Sequence, residues 1–391
     1  MGWVNRLKAI IAISQSGQIG GSLTVNMHVA KILSELDFDV IYATVTGTIN
    51  PYAIKKLLDI QIPSSKTYTL FPRTIPFLGI YQRHLLWISL LKAIKHEKPD
   101  LVWIDTDLYR FLPKTNKKFK LIEYIHFPHQ NWLETKDYFS KYSSKFWKIY
   151  FLGYMMLRKI TERDNPFKWA DEVFTNSSWT AKIIKKLYDH EPQVLYPPVK
   201  VNMFSSEYET KIDNSIIMIG RISPEKRYEE VIKAISLTNT KPTLRIAGGL
   251  IPANKTYMIT IKNLAQKLNV KLDINTNVKR EQIKKLLLKS KILIHATREE
   301  HFGIAVVEGM AAGCVPIVHK SGGPYYDIID KGNYGLYYDN VEELAQKIDL
   351  VLQDDSLWKK MSETAKTRSR IFDEQVFKEN LISTFHKLKL I

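Results

Sequence analysis

Two glutamates with seven residues between them, Glu300 and Glu308, mark the part of this sequence best suited to chemistry. The apolar run at 291–297 predicts a buried parallel strand, and residues 303–312 predict a helix. Glu300 would then lie in the strand-to-helix loop and Glu308 on the helix, about a turn and a half past its start. Both carboxylates are therefore expected at the carboxyl end of a sheet, where α/β proteins place ligands.

The start of that helix offers a second kind of group. Backbone amides of Phe302, Gly303 and Ile304 would point out of the helix terminus, and such a terminus binds phosphates. Carboxylates beside a phosphate site make sense if they hold hydroxyl groups, Glu300 those of a sugar and Glu308 those of a ribose. The combination predicts a nucleotide-sugar site.

A basic loop fits the same ligand. Arg221 and Lys226 follow an apolar strand predicted at 215–219. Arginine binds a diphosphate as a fork and lysine as a point charge. When a glycosyl bond to a nucleoside diphosphate breaks, negative charge develops on the leaving phosphate, and fixed cations stabilise it.

The apolar runs predict two series of alternating strands and helices. We expect strands at 8–14, 39–44, 100–104, 120–125 and 172–175, and then at 215–219, 243–247, 271–275, 291–296, 315–318 and 335–338. Alternation of this kind builds parallel sheets with helices on both faces, an α/β fold. Pro197 and Pro198 separate the series. They predict an N-terminal domain at 1–199 and a donor-binding domain at 200–372.

Five short motifs in a fixed order resemble glycosyltransferase family 4, the retaining enzymes of GT-B fold, and within it the α-1,2-mannosyltransferases of the dolichol pathway. They are Tyr-Ile-His-Phe-Pro at 124–128, Asn-Ser-Ser-Trp-Thr at 176–180, Tyr-Pro-Pro at 196–198, the stretch at 300–308 and Ser-Gly-Gly-Pro at 321–324. The resemblance runs from about Gly20 to Asp327. It implies two Rossmann-like domains facing across a cleft, with the C-terminal helix at 373–391 packing back on the first.

The resemblance also implies an activity. We expect a hexosyltransferase that moves a hexose, mannose first, from a nucleoside diphosphate sugar to a polyprenyl- or dolichol-linked oligosaccharide at the cytoplasmic membrane face. GDP-mannose is the expected donor and UDP-glucose the next. An enzyme of the same fold that acts on a soluble acceptor is the alternative.

Four residues are expected to be catalytic: Arg221, Lys226, Glu300 and His126, the last lying near the reacting sugar. Donor binding is expected from Gly21, Phe302, Gly303, Ile304 and Glu308. The glycine loop is shorter than in the family, with only Gly20, Gly21 and Ser22.

No cofactor is expected. Asp105-Thr106-Asp107 spells the Asp-x-Asp motif that binds a divalent metal in the other large glycosyltransferase fold. Here it lies in the wrong domain, and the basic loop supplies the charge. We therefore expect metal-independent activity.

Composition limits the partners. Lys and Arg number 57 against 40 Asp and Glu, a net charge of +17, which favours an anionic partner: a phosphorylated substrate, an anionic lipid or a nucleic acid. A nucleic-acid-binding protein is the remote alternative, but no recognised binding motif supports it. The single cysteine, Cys314, is expected to be buried and inert.

The sequence shows no signal peptide and no run of ~20 apolar residues, so we expect a peripheral protein on the cytoplasmic face. A basic and aromatic helix at about 141–154 suits docking on an anionic bilayer. Its expected docking residues are Lys141, Lys145, Phe146, Trp147, Lys148 and Tyr150.

Overall fold

The computed structural model describes residues 6–14, 20–73, 81–82, 84–106, 117–128, 145–161, 165–205 and 214–391, with only the backbone at 145–147, 158–161 and 166. The chain divides into two compact units. The first comprises 1–176, 180–198 and 377–391, and the second comprises 177–179 and 199–376.

The first unit is built on a parallel sheet. In its described part the strands follow the order β3-β2-β1-β4-β5-β6-β7. They are β1 (Lys8–Ile13), β2 (Asp39–Thr46), β3 (Thr67–Phe71), β4 (Leu101–Ile104), β5 (Lys120–Ile125), β6 (Glu172–Thr175) and β7 (Gln193–Val194). The helices that accompany them are α1 (Gly21–Glu35), α2 (Pro51–Leu58), α3 (Leu86–Glu97), α4 (Lys145–Thr161) and α5 (Ser178–Tyr188).

Both faces of this sheet are covered, because alternate side chains of β1 enter two different cores. Ile11 and Ile13 pack with α1, whereas Ile10 and Ala12 pack with α3. The C-terminal helix α13 (Glu374–Lys387) adds side chains such as Phe385 to the first of these cores. Burial on both faces explains why the strands are continuous apolar runs rather than alternating ones.

The second unit repeats the plan with the order β10-β9-β8-β11-β12-β13. Its parallel strands are β8 (Ser215–Ile219), β9 (Thr243–Gly248), β10 (Leu272–Thr276), β11 (Ile292–His295), β12 (Val315–His319) and β13 (Leu336–Tyr338). Its helices are α6 (Val201–Phe204), α7 (Tyr228–Leu237), α8 (Lys255–Lys267), α9 (Arg280–Lys289), α10 (Ile304–Ala311), α11 (Val341–Gln353) and α12 (Asp355–Ser369). A 3-10 turn, Pro224–Lys226, precedes α7.

The predicted α/β class with two parallel sheets is confirmed, and three predicted strands, β5, β6 and β8, have the predicted bounds. The sequence analysis missed β3 and β7, which both lie at edges of the first sheet. The two residues of β7 are exposed, so they carry no apolar signal. Cys314 is buried, as predicted. In the described part of the chain, no helix is long and apolar enough to cross a bilayer.

The exits of β8 and β9 approach each other closely at Gly248. A Cβ atom placed there would lie 1.7 Å from the carbonyl oxygen of Gly220, and Gly220 N–H donates to the carbonyl of Ala247 at 3.1 Å. The backbone of Gly220 cannot move aside for a Cβ atom at residue 248, as the end of a flexible side chain could. Glycine at 248 is therefore required for the loop that begins at Gly220.

Gly248→Ala should lower stability by about 1–3 kcal/mol through overpacking. Gly249→Ala is the matched control, because the nearest atom to its added carbon is 4.0 Å away, on Arg221. We expect that control to stay within about 0.5 kcal/mol of the wild type. Urea unfolding midpoints measure both, and equal midpoints for the two variants would contradict the close approach.

Candidate active site

The loop after β8 presents Lys226 at the carboxyl end of the second sheet. Ile222 N–H donates to the carbonyl of Gly249 at 2.8 Å, and Lys226 N–H donates to the carbonyl of Ser223 at 3.0 Å. These bonds close the turn that ends in Lys226. The aliphatic stem of Lys226 lies along Gly220, which leaves its ammonium group at the end of the strand.

The loop after β11 presents Glu300 and is held by the segment after β12. Ser321 Oγ accepts from the Glu299 amide at 2.9 Å, and the Gly323 amide donates to the carbonyl of Glu300 at 2.8 Å. Gly322 has φ +72°, and a Cβ atom there would lie 2.4 Å from the Glu300 carbonyl oxygen. The Ser-Gly-Gly-Pro motif at 321–324 therefore fixes the backbone of Glu300, a role that sequence reasoning did not assign.

Glu300 and Lys226, both predicted to be catalytic, form an ion pair. Lys226 Nζ donates to Glu300 Oε2 at 2.9 Å, and the two side chains are only 19% and 24% exposed. Burial would raise the pKa of Glu300, but the charge of Lys226 and the contact with His295 outweigh it and hold that pKa well below its usual range. Glu300 is thus an ionised acceptor at neutral pH.

His295 is a neighbour that sequence reasoning missed. It is the last residue of β11, it is buried, and its Nε2 lies 3.3 Å from Glu300 Oε2. Burial lowers the pKa of His295, and Lys226 lowers it further against the pull of Glu300. A neutral imidazole therefore packs behind the carboxylate. Its only signal in the sequence was a histidine at the end of an apolar strand.

Glu308 lies in the second turn of α10 and is buried. Arg280 Nη2, at the start of α9, donates to Glu308 Oε1 at 2.6 Å, and the Arg280 guanidinium lies 5.2 Å from the ring centre of Phe204. Sequence reasoning missed Arg280, which stands in a run of charged residues typical of a solvated helix. Arg280 therefore fixes the orientation of the Glu308 carboxylate, which is the group expected to hold the ribose.

The other residues of this unit that were predicted to bind the donor lie at the start of α10. Gly303, at φ +101°, precedes the first residue of α10, Ile304, while the Phe302 ring is buried against Phe372. Helix geometry leaves amides of the first turn without intrahelical partners. Arg221 is 66% exposed and lies 3.6 Å from Glu225. None of the contacts described for Arg221 joins it to the Lys226–Glu300 pair.

Two predicted residues lie in the first unit. His126 directly follows β5; its carbonyl accepts from Asn176 Nδ2 at 2.7 Å, and its ring packs on Tyr124 at 4.8 Å. Gly21 is the first residue of α1. Because β1 and β5 are parallel strands of one sheet, both residues lie at its carboxyl edge.

Asp105, half of the Asp-x-Asp motif, is buried at the end of β4 and hydrogen-bonded within the protein; Asp107 lies outside the described residues. Among the residues that the structure describes, no cluster of three His, Cys, Asp or Glu side chains could hold a metal ion.

Helix α4 carries the predicted docking residues. Lys141 lies outside the described residues, and the side chains of Lys145, Phe146 and Trp147 are likewise not described. Lys148 is exposed, but Tyr150 is half-buried, with its ring 5.0 Å from that of Tyr81. Among the described side chains of α4, the aliphatic residues Ile149, Leu152 and Met156 are also exposed, at 63%, 62% and 59%.

Lys226→Met keeps the aliphatic stem but removes the charge that keeps Glu300 ionised. In the wild type, the depressed pKa of Glu300 adds stability that is present above its usual value of 4.5 and is lost as the pH falls. In the variant, burial dominates and the sign reverses. The variant should therefore be less stable than the wild type by about 2 kcal/mol at pH 7, and by less at pH 4.

Urea unfolding at the two pH values measures this difference. Lys185→Met is the matched control, since Lys185 pairs with Glu191 at 2.8 Å on an exposed surface. We expect a much smaller pH-dependent difference there. Equal differences for the two variants would contradict the electrostatic role of Lys226.

Comparison with known proteins agrees with this geometry. Residues 202–368 match the family model of glycosyl transferases group 1. The match includes Arg221, Lys226, Glu300 and Glu308. It covers most of the second unit but less than half of the chain.

Relatives with the name GDP-Man:Man(3)GlcNAc(2)-PP-Dol alpha-1,2-mannosyltransferase extend the match. The Xenopus laevis protein is 28% identical over 241 residues, 56% of this chain and 49% of the relative. The Candida glabrata protein is 30% identical over 269 residues, 61% of this chain and 51% of the relative. This chain thus spans about half the length of the curated relatives it matches.

Solved structures match over nearly the whole chain. Anabaena HepE in complex with UDP has a TM-score of 0.71 at 16% identity, covering 98% of this chain and 100% of its own. Sucrose-phosphate synthase from Thermosynechococcus elongatus has a TM-score of 0.74 at 15% identity, covering 98% and 99%. These matches establish the GT-B fold. The predicted resemblance to glycosyltransferases of this fold, and among them to the dolichol-pathway α-1,2-mannosyltransferases, is confirmed.

Proposed function

We propose that this chain is a retaining hexosyltransferase that moves mannose from GDP-mannose to a polyprenyl- or dolichol-linked oligosaccharide at the cytoplasmic membrane face. The observation that carries the proposal is the Lys226–Glu300 pair at 2.9 Å, between the exit of β8 and the start of α10. The pair places an ionised carboxylate, which can accept hydrogen bonds from sugar hydroxyls, beside an ammonium group, which can bind a phosphate. The names of the relatives support mannose, GDP and the lipid-linked acceptor.

The reaction breaks the bond between the sugar C1 and the diphosphate oxygen and forms a bond from C1 to the acceptor oxygen on the same face. The acceptor's proton passes to the leaving phosphate. Lys226 neutralises the charge that develops there, together with Arg221 and the amides of Gly303 and Ile304. Glu300 holds a hydroxyl of the donor sugar, and Glu308, oriented by Arg280, holds the ribose.

The resemblance to the family also implies roles for His126 and Gly21 of the first unit. His126 would lie near the reacting sugar and the acceptor, and Gly21 near the sugar or the phosphates. Because a lysine and helix amides supply positive charge, the reaction would need no metal ion.

UDP-glucose is the second candidate donor. It is favoured by the structural match to Anabaena HepE, which has been solved with UDP-glucose. A soluble acceptor is the matching alternative, favoured by the match to sucrose-phosphate synthase. A panel of GDP-mannose, UDP-glucose and related donors, with lipid-linked and soluble acceptors, distinguishes these possibilities.

In that assay, Lys226→Ala and Glu300→Ala should each slow transfer at least ~100-fold, about 2.7 kcal/mol of transition-state stabilisation. Lys185→Ala, which breaks an exposed pair in the first unit, is the matched control and should retain the wild-type rate. Transfer should also continue in EDTA.

Three outcomes would overturn the proposal. A wild-type chain that transfers no sugar from any donor would refute the activity. Folded Lys226 and Glu300 variants with wild-type rates would show that the donor site is misassigned. Loss of activity in EDTA with rescue by manganese or magnesium would refute the metal-independent reaction.

A lipid-linked acceptor requires the enzyme to meet a membrane, and the exposed face of α4 is the proposed docking surface. Ile149, Leu152 and Met156 follow helical spacing on one side, next to the exposed Lys148. An apolar stripe beside a lysine, on a chain of net charge +17, suits an anionic bilayer. The proposed surface adds this aliphatic stripe to the docking residues predicted from the sequence.

Ile149→Glu/Leu152→Glu should lower partitioning onto phosphatidylglycerol-containing vesicles at least ~10-fold, since each buried aliphatic side chain contributes about 1–2 kcal/mol. Leu237→Glu/Ile259→Glu is the matched control, because these residues are similarly exposed, each at 55%, in the second unit. Co-sedimentation measures both. Unchanged binding of the α4 variant, or an equal loss in the control, would place docking elsewhere. Binding of the wild type to duplex DNA in preference to vesicles would favour the nucleic-acid alternative.

A further inference from the structure

Asp105 is the centre of a buried hydrogen-bond network in the first unit. Its Oδ1 accepts from the Ser14 amide at 2.9 Å, and its Oδ2 accepts from Ser22 Oγ at 3.0 Å and from Asn26 Nδ2 at 2.9 Å. Asp105 is 6% exposed and Asn26 is fully buried. Three donors thus converge on one carboxylate.

The orientation of Asn26 is fixed from its other side. Trp103 Nε1, also fully buried, donates to Asn26 Oδ1 at 2.9 Å. Asn26 cannot turn its amide over without presenting its NH₂ group to the Trp103 N–H, which would leave two buried donors face to face. The amide nitrogen of Asn26 must therefore face Asp105.

The three donors belong to the end of β1 and to the first half of α1. Ser14 directly follows β1, and Ser22 and Asn26 lie one turn apart on the first half of α1. Gly20 and Gly21 immediately precede Ser22. Because β1, β4 and β5 are neighbouring parallel strands, the start of α1, which is bonded to Asp105, lies at the same sheet edge as His126.

We propose that Asp105 is a positioning residue, which holds the start of α1, Gly20 to Ser22, beside the end of β1 in the geometry that the glycosyl transfer needs. The inference rests on the proposed function. It gives the Asp-x-Asp motif a role other than metal binding, because the carboxylate oxygens of Asp105 already accept three hydrogen bonds from the protein. In this role the carboxylate acts through the start of α1.

The network allows a test by exchange. In Asp105→Asn, the new amide nitrogen must face either the Ser14 amide or the Asn26 NH₂ group, so one pair of donors collides. In Asp105→Asn/Asn26→Asp, the nitrogen introduced at 105 donates to the carboxylate introduced at 26, while Trp103 and Ser14 keep acceptors. Ser22 Oγ, which donates to Asp105 in the wild type, accepts from the amide at 105 instead, because a hydroxyl can do either. In the double variant every donor of the network again faces an acceptor.

Asp100→Asn is the matched control. Asp100 Oδ2 accepts from the Lys8 amide at 2.8 Å, the same kind of contact at the opposite end of β1 and β4. Steady-state transfer kinetics and hydrogen exchange of peptides covering β1 and α1 should be measured on the full chain for all four proteins.

We expect Asp105→Asn to lower kcat/KM at least ~10-fold, since small misplacements of positioning groups cost rates of this order. Amide exchange in the first turns of α1 should rise at least ~10-fold. The double variant should recover both within ~3-fold, and Asp100→Asn should leave kcat/KM within ~3-fold of the wild type.

Altered exchange with wild-type kcat/KM in Asp105→Asn would make the network merely structural and overturn the proposal, while the proposed function would stand. Failure of the double variant to recover activity would also overturn it. A wild-type chain without any transferase activity would refute the proposed function itself, and the positioning role with it. The hydrogen-exchange data separate this outcome from a failure of the network, because they report on α1 whether or not the chain is active.

Discussion

The ion pair between Lys226 and Glu300 is the interaction on which the second unit's chemistry depends. Burial alone would raise the pKa of Glu300, and the ammonium group 2.9 Å away is the strongest of the effects that hold it well below its usual range. That distance requires two separate loops to end at the same point. The glycine contact between the exits of β8 and β9 places one loop, and residues 321–323 place the other.

The first unit also buries a carboxyl group, but without a cation beside it. Asp105 accepts from a backbone amide, a hydroxyl and a side-chain amide, and burial nevertheless raises its pKa. Lys226 retains further N–H groups that can serve a ligand, whereas both oxygens of Asp105 accept from the protein. The difference in partners separates a group suited to chemistry from one suited to positioning.

Much of the fold could be predicted because the central strands are buried on both faces and are therefore apolar throughout. Edge strands such as β7 lack that constraint and were missed. Glu300 and Lys226 could be predicted from their places after apolar strands. His295, Arg280 and the partners of Asp105 could not, because their roles depend on contacts between residues that are 5 to 91 positions apart. The docking face predicted on α4 remains a prediction, because the side chains of Phe146 and Trp147 lie outside the described part of the structure.

The most direct test of the central claim is an experimental structure of this chain with GDP-mannose bound. The account predicts that the diphosphate lies at the start of α10 with Lys226 Nζ in contact with a phosphate oxygen, and that Glu300 accepts a hydrogen bond from a hydroxyl of the mannose. Glu308 should contact the ribose. A nucleotide sugar bound away from these residues, or bound with Lys226 and Glu300 still paired only to each other, would contradict it.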